Sequence, residues 1–162
     1  MISHLFAALV LASLVPAIPL AQDPGTAERE AILATVQKFF DTMAARDVAG
    51  ARGVLMPDGR FFSVRDGGGQ RDVRTFTNAE YLEGLATRKE NVRERFWTPE
   101  VRIHGPIAVV WTPYDFWIDG SFSHCGVDAF DLVRTPEGWK ISGGVYTVQR
   151  EACPPSPLGP SK

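Results

Sequence analysis

The first twenty residues of the chain contain no Lys, Arg, Asp or Glu. Nor does the remainder carry an excess of one charge: 17 Lys and Arg against 19 Asp and Glu give a formal net charge of −2. Nucleic-acid binding, which wants a strongly basic face, is therefore not expected. Histidine is scarce and scattered, at positions 4, 104 and 124. None of these spacings resembles a zinc site, so no metal is expected. Asp66-Gly-Gly-Gly69 lacks the Lys-Ser or Lys-Thr of a phosphate loop, and Asp72 to Phe76 reads as a return strand rather than a helix start. These glycines predict a hairpin tip, and no cofactor is expected. No internal repeat or second domain boundary is visible.

Uncharged as it is, Leu5 to Val15 does not continue far enough to span a bilayer. Pro16 and Pro19 interrupt it, whereas a span needs ~20 unbroken apolar residues. Residues 1–21 read instead as a secretory signal peptide with cleavage after Ala17 or Ala21, although the n-region offers only the amino terminus and His4 as positive charge. The expectation is a secreted or periplasmic protein without a stable membrane anchor. In that compartment the two cysteines, Cys125 and Cys153, read as a disulfide; a buried free thiol or a reactive thiol are the alternatives. The body is then residues 22–152, followed by a Pro-rich tail, 153–162.

Within the body, Thr26 is placed to cap a helix running to about Arg46, with Ile32, Val36, Phe39, Phe40 and Met43 at helical spacing. Packing against a sheet is the default for Phe39 and Phe40, and lining a pocket the alternative. Asp47 can cap a short second helix to Leu55, and Arg60 to Val64 reads as a strand. Thr77-Asn-Ala-Glu80 is a capping-box pattern opening a third helix to Arg88, whose apolar face is Tyr81, Leu82 and Leu85. The run Arg88, Lys89, Glu90, Arg93, Glu94, Arg95 reads as a solvated helix end and strand start. Val92 to His104 is a strand bent at Thr98-Pro99.

Three long strands follow, Ile107 to Ile118, Ser121 to Arg134 and Trp139 to Arg150, separated by Asp119-Gly120 and Pro136-Glu137-Gly138. Trp139 and Ile141 read as core, and Gly143-Gly144 as a sharp bend or bulge. The order predicts an α+β fold: a cone of about three N-terminal and central helices packed on a strongly bent antiparallel sheet.

The chain resembles nuclear transport factor 2-like (ketosteroid-isomerase-like, SnoaL-like) cone domains over roughly Thr26 to Glu151. The resemblance rests on Val36-Gln-Lys-Phe-Phe-Asp-Thr-Met43 with Asp47, Ile107-Ala-Val-Val-Trp111, Trp111-Thr-Pro-Tyr-Asp-Phe-Trp117, Ser123-His-Cys-Gly-Val-Asp-Ala-Phe130 and Gly138-Trp-Lys-Ile141. Among the branches it is most similar to the secreted lumazine-binding type. The superfamily spans isomerases, cyclases, dehydratases, epoxide hydrolases and binding proteins, so the resemblance implies a fold and leaves the activity open. Neither the tyrosine and aspartate constellation of ketosteroid isomerases nor the aspartate-arginine-aspartate set of limonene epoxide hydrolases can be placed on these residues.

A two-residue loop at Asp119-Gly120 sets Asp115 opposite His124, Tyr114 opposite Cys125 and Trp111 opposite Asp128. Asp115, His124, Asp128 and Trp111 then share a face, and a carboxylate beside an imidazole is an arrangement suited to a general base. The bland alternative is an ion pair at the rim of the sheet; one bulge would exchange the faces. A three-residue loop at Pro136-Glu137-Gly138 places Tyr146 beside Asp128, and a two-residue loop at Glu137-Gly138 places Thr147 there.

Three functions follow. The first is a small-molecule-binding cone for an apolar or aromatic ligand, with Trp111, Tyr114, Trp117 and Phe130 as ligand-binding residues and Tyr114, Trp117, His124 and Tyr146 gating the pocket. The second is an acid-base isomerase, cyclase or dehydratase using Asp115 or Asp128 with His124 or Tyr146. The third is a dimeric interaction module, a homodimer through the exposed face of the sheet.

Overall fold

The computed structural model describes residues 24–67 and 70–161; the expected signal peptide lies outside them. Helix α1 (Pro24–Ala45) buries Ile32, Val36, Phe39, Phe40 and Met43, the stripe its spacing predicts. Thr26, expected as its cap, lies inside the helix. Asp47 caps α2 (Val48–Val54), its carboxylate accepting from the Gly50 amide at 2.8 Å. Strands β1 (Leu55–Gly67) and β2 (Gln70–Thr77) form an antiparallel hairpin. The capping box at Thr77 and Glu80 starts α3 (Asn78–Thr87), which buries Leu82 and Leu85. Each of these local signals satisfies backbone donors that a helix start leaves open.

The bent strand resolves into β3 (Val92–Phe96) and β4 (Glu100–His104), broken where Thr98 takes φ +44°. Then come β5 (Ile107–Ile118), β6 (Ser121–Thr135) and β7 (Gly138–Val148). The seven strands form one curved sheet in the order β2-β1-β7-β6-β5-β3, with β4 also pairing β5. All pairs are antiparallel except β1 with β7. The expected α+β cone is present: three helices close the inner face, and Val110, Phe130, Leu132, Trp139 and Ile141 of the sheet share a core with α1 and α3.

Two bulges decide what faces that core. Asp119 (φ +48°) and Gly120 (φ +76°) form the tight hairpin loop, and Ile118 and Trp117 pair with Ser121 and Phe122 as expected. Ser123 is then left over: Phe116 pairs with His124 and Asp115 with Cys125. Beyond it, Tyr114 lies opposite Gly126 and Trp111 opposite Ala129, so the expected Asp115–His124, Tyr114–Cys125 and Trp111–Asp128 pairs do not form. One extra residue in β6 has moved Asp115 and His124 to opposite faces.

The second bulge is Ser142, unpaired between Leu132↔Ile141 and Asp131↔Gly143. The loop before β7 has two residues, Pro136 and Glu137, and the bulge supplies the step that brings Tyr146 opposite Asp128. Gly143 permits the close approach of β1 here, since an added Cβ would collide with the Arg60 carbonyl oxygen. On the outer face Trp111, Ala129, Val145 and Phe62 are register partners across β5, β6, β7 and β1; Trp111 is 53% exposed.

Candidate functional site

Period-2 alternation sends Phe61, Ser63 and Arg65 of β1, Glu94 of β3, Phe116 of β5, His124, Asp128 and Phe130 of β6, and Tyr146 and Val148 of β7 to the inner face. Together with Phe39, Phe40 and Met43 of α1, Phe76 of β2, and Glu80, Tyr81 and Gly84 of α3 and Arg88 just beyond it, they line a cavity of about 360 Å³. Its walls are aromatic. Phe39 stacks on Phe61 at 5.8 Å, Phe61 on Phe76 at 5.7 Å, and Phe130 meets Phe39 edge-on at 6.0 Å. Phe39 and Phe40 thus serve both the core and the pocket, and the helical stripe cannot distinguish the two roles.

Against this apolar wall stand two carboxyl groups. Asp128 is 3% exposed and shares a side-chain hydrogen bond with Glu94. Burial pushes both well above the usual carboxylate range, and the negative charge of Asp128 pushes Glu94 further. A hydrogen bond between two carboxyl groups needs a proton between them, so the pair holds a shared proton. Asp128 Oδ2 has no hydrogen-bond partner in the protein, and neither does the buried Tyr81 hydroxyl or Arg65 Nε. Burial also pushes the Tyr81 and Tyr146 phenols up, while a hydrogen bond with Ser63 pulls Tyr146 back. Glu80 is committed elsewhere: it accepts from the Thr77 amide at 2.7 Å and the Thr77 hydroxyl at 2.9 Å, and the backbone bond pulls its pKa down.

His124 reaches the cavity without a carboxylate beside it. Its ring stacks on Phe116 at 4.7 Å and its Nδ1 lies 3.0 Å from the Ser123 hydroxyl. Burial, then the positive charges of Arg150 and Arg65, lower its pKa to about 4, so the imidazole is neutral at pH 7. Asp115, expected as its partner, is on the outer face and 2% exposed. There it accepts a two-pronged ion pair from Arg95, whose Nε donates to Oδ1 at 2.9 Å. Arg95 also lies over the Trp117 ring at 5.3 Å and donates to the Gly159 carbonyl of the tail at 2.7 Å.

Of the residues the sequence proposes, the structure brings His124, Asp128, Phe130 and Tyr146 together around the cavity. Trp111 and Trp117 are not among its walls: Trp111 is on the exposed outer face, and Trp117 stands beside Arg95. Tyr114 is inward but covered, its hydroxyl donating to the Thr147 carbonyl at 2.7 Å. The disulfide forms between Cys125 and Cys153, with Cα atoms 5.9 Å apart, next to the Cys125–Gln149 bridge. The basic run is not a solvated segment throughout, for Arg88 and Glu94 line the cavity and Arg95 is half-buried against Asp115. Glu94 had a signal: alternation with Val92 and Phe96 places it inside. Arg65 had the same signal, alternating with Phe61 and Ser63.

Among the described residues no helix is long and apolar enough to cross a membrane. No curated protein matches the chain. Solved structures do. An NTF2-like protein from Cytophaga hutchinsonii superposes with TM-score 0.63 at 18% identity, over 74% of this chain and 97% of that one. A cystatin-like protein from Nostoc punctiforme gives 0.59 at 12% identity, over 80% and 94%. One from Streptomyces avermitilis, described as a "putative dehydratase from the NTF2-like family", gives 0.61 at 20%, over 78% and 98%. At these identities the likeness establishes the fold. A family model described as "Putative lumazine-binding" matches residues 27–147, which span the helices, the hairpin and nearly all of the sheet. The chain belongs to that lumazine-binding family and to the NTF2-like superfamily of cone folds.

Proposed function

We propose that this protein is a secreted or periplasmic binder of a small, ring-containing molecule held in the inner cavity. The observation that carries the reading is an aromatic cavity of about 360 Å³ into which buried polar atoms project without protein partners. Pockets of this size, apolar with a few placed polar groups, suit compact organic ligands. A buried acceptor left unpaired costs about 1–3 kcal/mol. Asp128 Oδ2 and the Tyr81 hydroxyl are therefore groups that a ligand can satisfy at a net gain. The Cys125–Cys153 disulfide and the uncharged residues 1–21 support an oxidising, extracytoplasmic location.

Native mass spectrometry of the chain expressed with residues 1–21 intact tests this. The expected result is a retained small-molecule mass, a processed terminus and an oxidised cysteine pair. A ligand-free, unprocessed, reduced chain would contradict it.

A second reading is favoured by the Glu94–Asp128 pair. Two carboxyl groups sharing a proton in an aromatic cavity beside Tyr146 have the composition of an acid-base site. In this reading Asp128 removes a proton from a carbon acid. Deuterium exchange into a panel of enolisable ketones, wild type against Asp128→Asn, decides it. Exchange that depends on Asp128 supports catalysis, and equal background rates for both proteins count against it.

A further inference from the structure

The unpartnered atoms of the cavity differ in kind, and that difference describes a ligand. Asp128 Oδ2 can only accept while Asp128 is ionised; Arg65 Nε can only donate; the Tyr81 hydroxyl can do either. All three atoms are buried without a partner, and all three residues line the same cavity. Asp128, 3% exposed, shares a hydrogen bond with Glu94, and its unpartnered Oδ2 remains for a donor that arrives from outside the protein. Arg65 and Arg88 also line the cavity, and among the described residues neither is held in a salt bridge or side-chain hydrogen bond. The Arg65 charge helps lower the pKa of His124, which lines the cavity with it. Every other carboxylate nearby is engaged: Glu80 in the helix cap, Asp115 with Arg95.

We infer that the cavity takes a planar aromatic acid bearing a ring hydroxyl or ring N–H, its anionic group facing Arg65, Arg88 and Tyr81 and its donor bonded to Asp128. This rests on the cavity-binding reading and adds the polarity of the ligand. The flat rings of Phe39, Phe61, Phe76 and Phe130 accept the aromatic body by stacking or edge contact. The guanidinium groups favour an anion, with charge-assisted bonds roughly twice as strong as neutral ones. A neutral hydrocarbon of the same shape would leave every one of these polar atoms unpaired.

Isothermal titration with simple probes tests the two ends of the ligand separately. The three hydroxybenzoate isomers are compared with their methyl ethers, which lack the donor, and with the corresponding hydroxybenzamides, which lack the charge. The best hydroxybenzoate is expected to bind at least ten-fold more tightly than either its ether or its amide. Asp128→Leu should remove the preference for hydroxyl over methoxy and keep the preference for acid over amide; Arg65→Met should do the reverse. Circular dichroism reports whether each variant is folded, and Arg65→Met alone is decisive if Asp128→Leu is not. Equal binding of acids, ethers and amides, or preferences that survive both substitutions, overturns the inference. Naphthalene and 2-naphthol serve as uncharged controls. If they bind and no hydroxybenzoate does, the inference falls while the cavity-binding reading stands; if nothing binds, the inference falls and the broader reading loses its support as well.

Discussion

Asp115 and Asp128 lie on neighbouring strands of one sheet, one 2% and the other 3% exposed, on opposite faces. Their surroundings could hardly differ more. Asp115 is clamped by Arg95 beneath the tail, whereas Asp128 meets another carboxyl in an aromatic cavity. Burial penalises both charges, and the partner decides the consequence. An arginine makes the buried carboxylate a structural ion; a second acid makes it a site where a proton is held and a further acceptor is left open. Burial alone does not distinguish a structural carboxylate from a functional one.

Breaking the outer pair should therefore cost the most. Arg95→Ala strands the Asp115 charge, and denaturant unfolding should show a loss of roughly 3–5 kcal/mol. Glu94→Gln on the inner face keeps a neutral donor toward Asp128 and removes only the titratable proton, so its expected change is about 1 kcal/mol or less. Equal losses for the two variants would erase the distinction between the faces.

Next in size is the covalent tie on the outer face. Replacing Cys125 and Cys153 by Ser should destabilise by about 2–4 kcal/mol, measured the same way. The tail should also loosen, with faster amide exchange around Gly159. Cavity ligands should still bind, because the disulfide and the cavity are on different faces.

The smallest expected effect is the pH dependence, and its sign separates the inner groups. The Glu94–Asp128 pair binds protons more tightly folded than unfolded, so its contribution is complete below the usual carboxyl range and is lost as pH rises through the raised values. For His124, lowered from 6.5 to about 4, the contribution is present above pH 6.5 and is lost as pH falls toward 4. Glu94→Gln should flatten the first slope and His124→Gln the second, with stability measured at a series of pH values. Unchanged slopes would place these side chains in water.

The fold was legible because its signals are local. Asp47 and the Thr77–Glu80 box cap their helices, and Asp119-Gly120 turns its hairpin. The site was only half legible. Asp128, His124, Phe130 and Tyr146 reach the cavity, but the pairing of Asp115 with His124 failed at a single residue, Ser123. A bulge changes the face of everything beyond it and leaves no mark in a period-2 pattern. The Tyr146–Asp128 neighbourhood was among the expected outcomes for a different reason: a bulge at Ser142 did what a longer turn would have done. Glu94 was hidden by its company, because a run of alternating charges reads as a solvated surface until the fold shows a cavity on one side of it.

The most direct measurement is a carbon-13 NMR titration of the side-chain carboxyls, with Glu94 and Asp128 assigned through Glu94→Gln and Asp128→Asn. The account predicts a coupled pair that gives up its shared proton well above the usual carboxylate range, with the Asp128 resonance moving when a hydroxybenzoate is added. Two independent titrations near pH 4, unaffected by any aromatic acid, would contradict it.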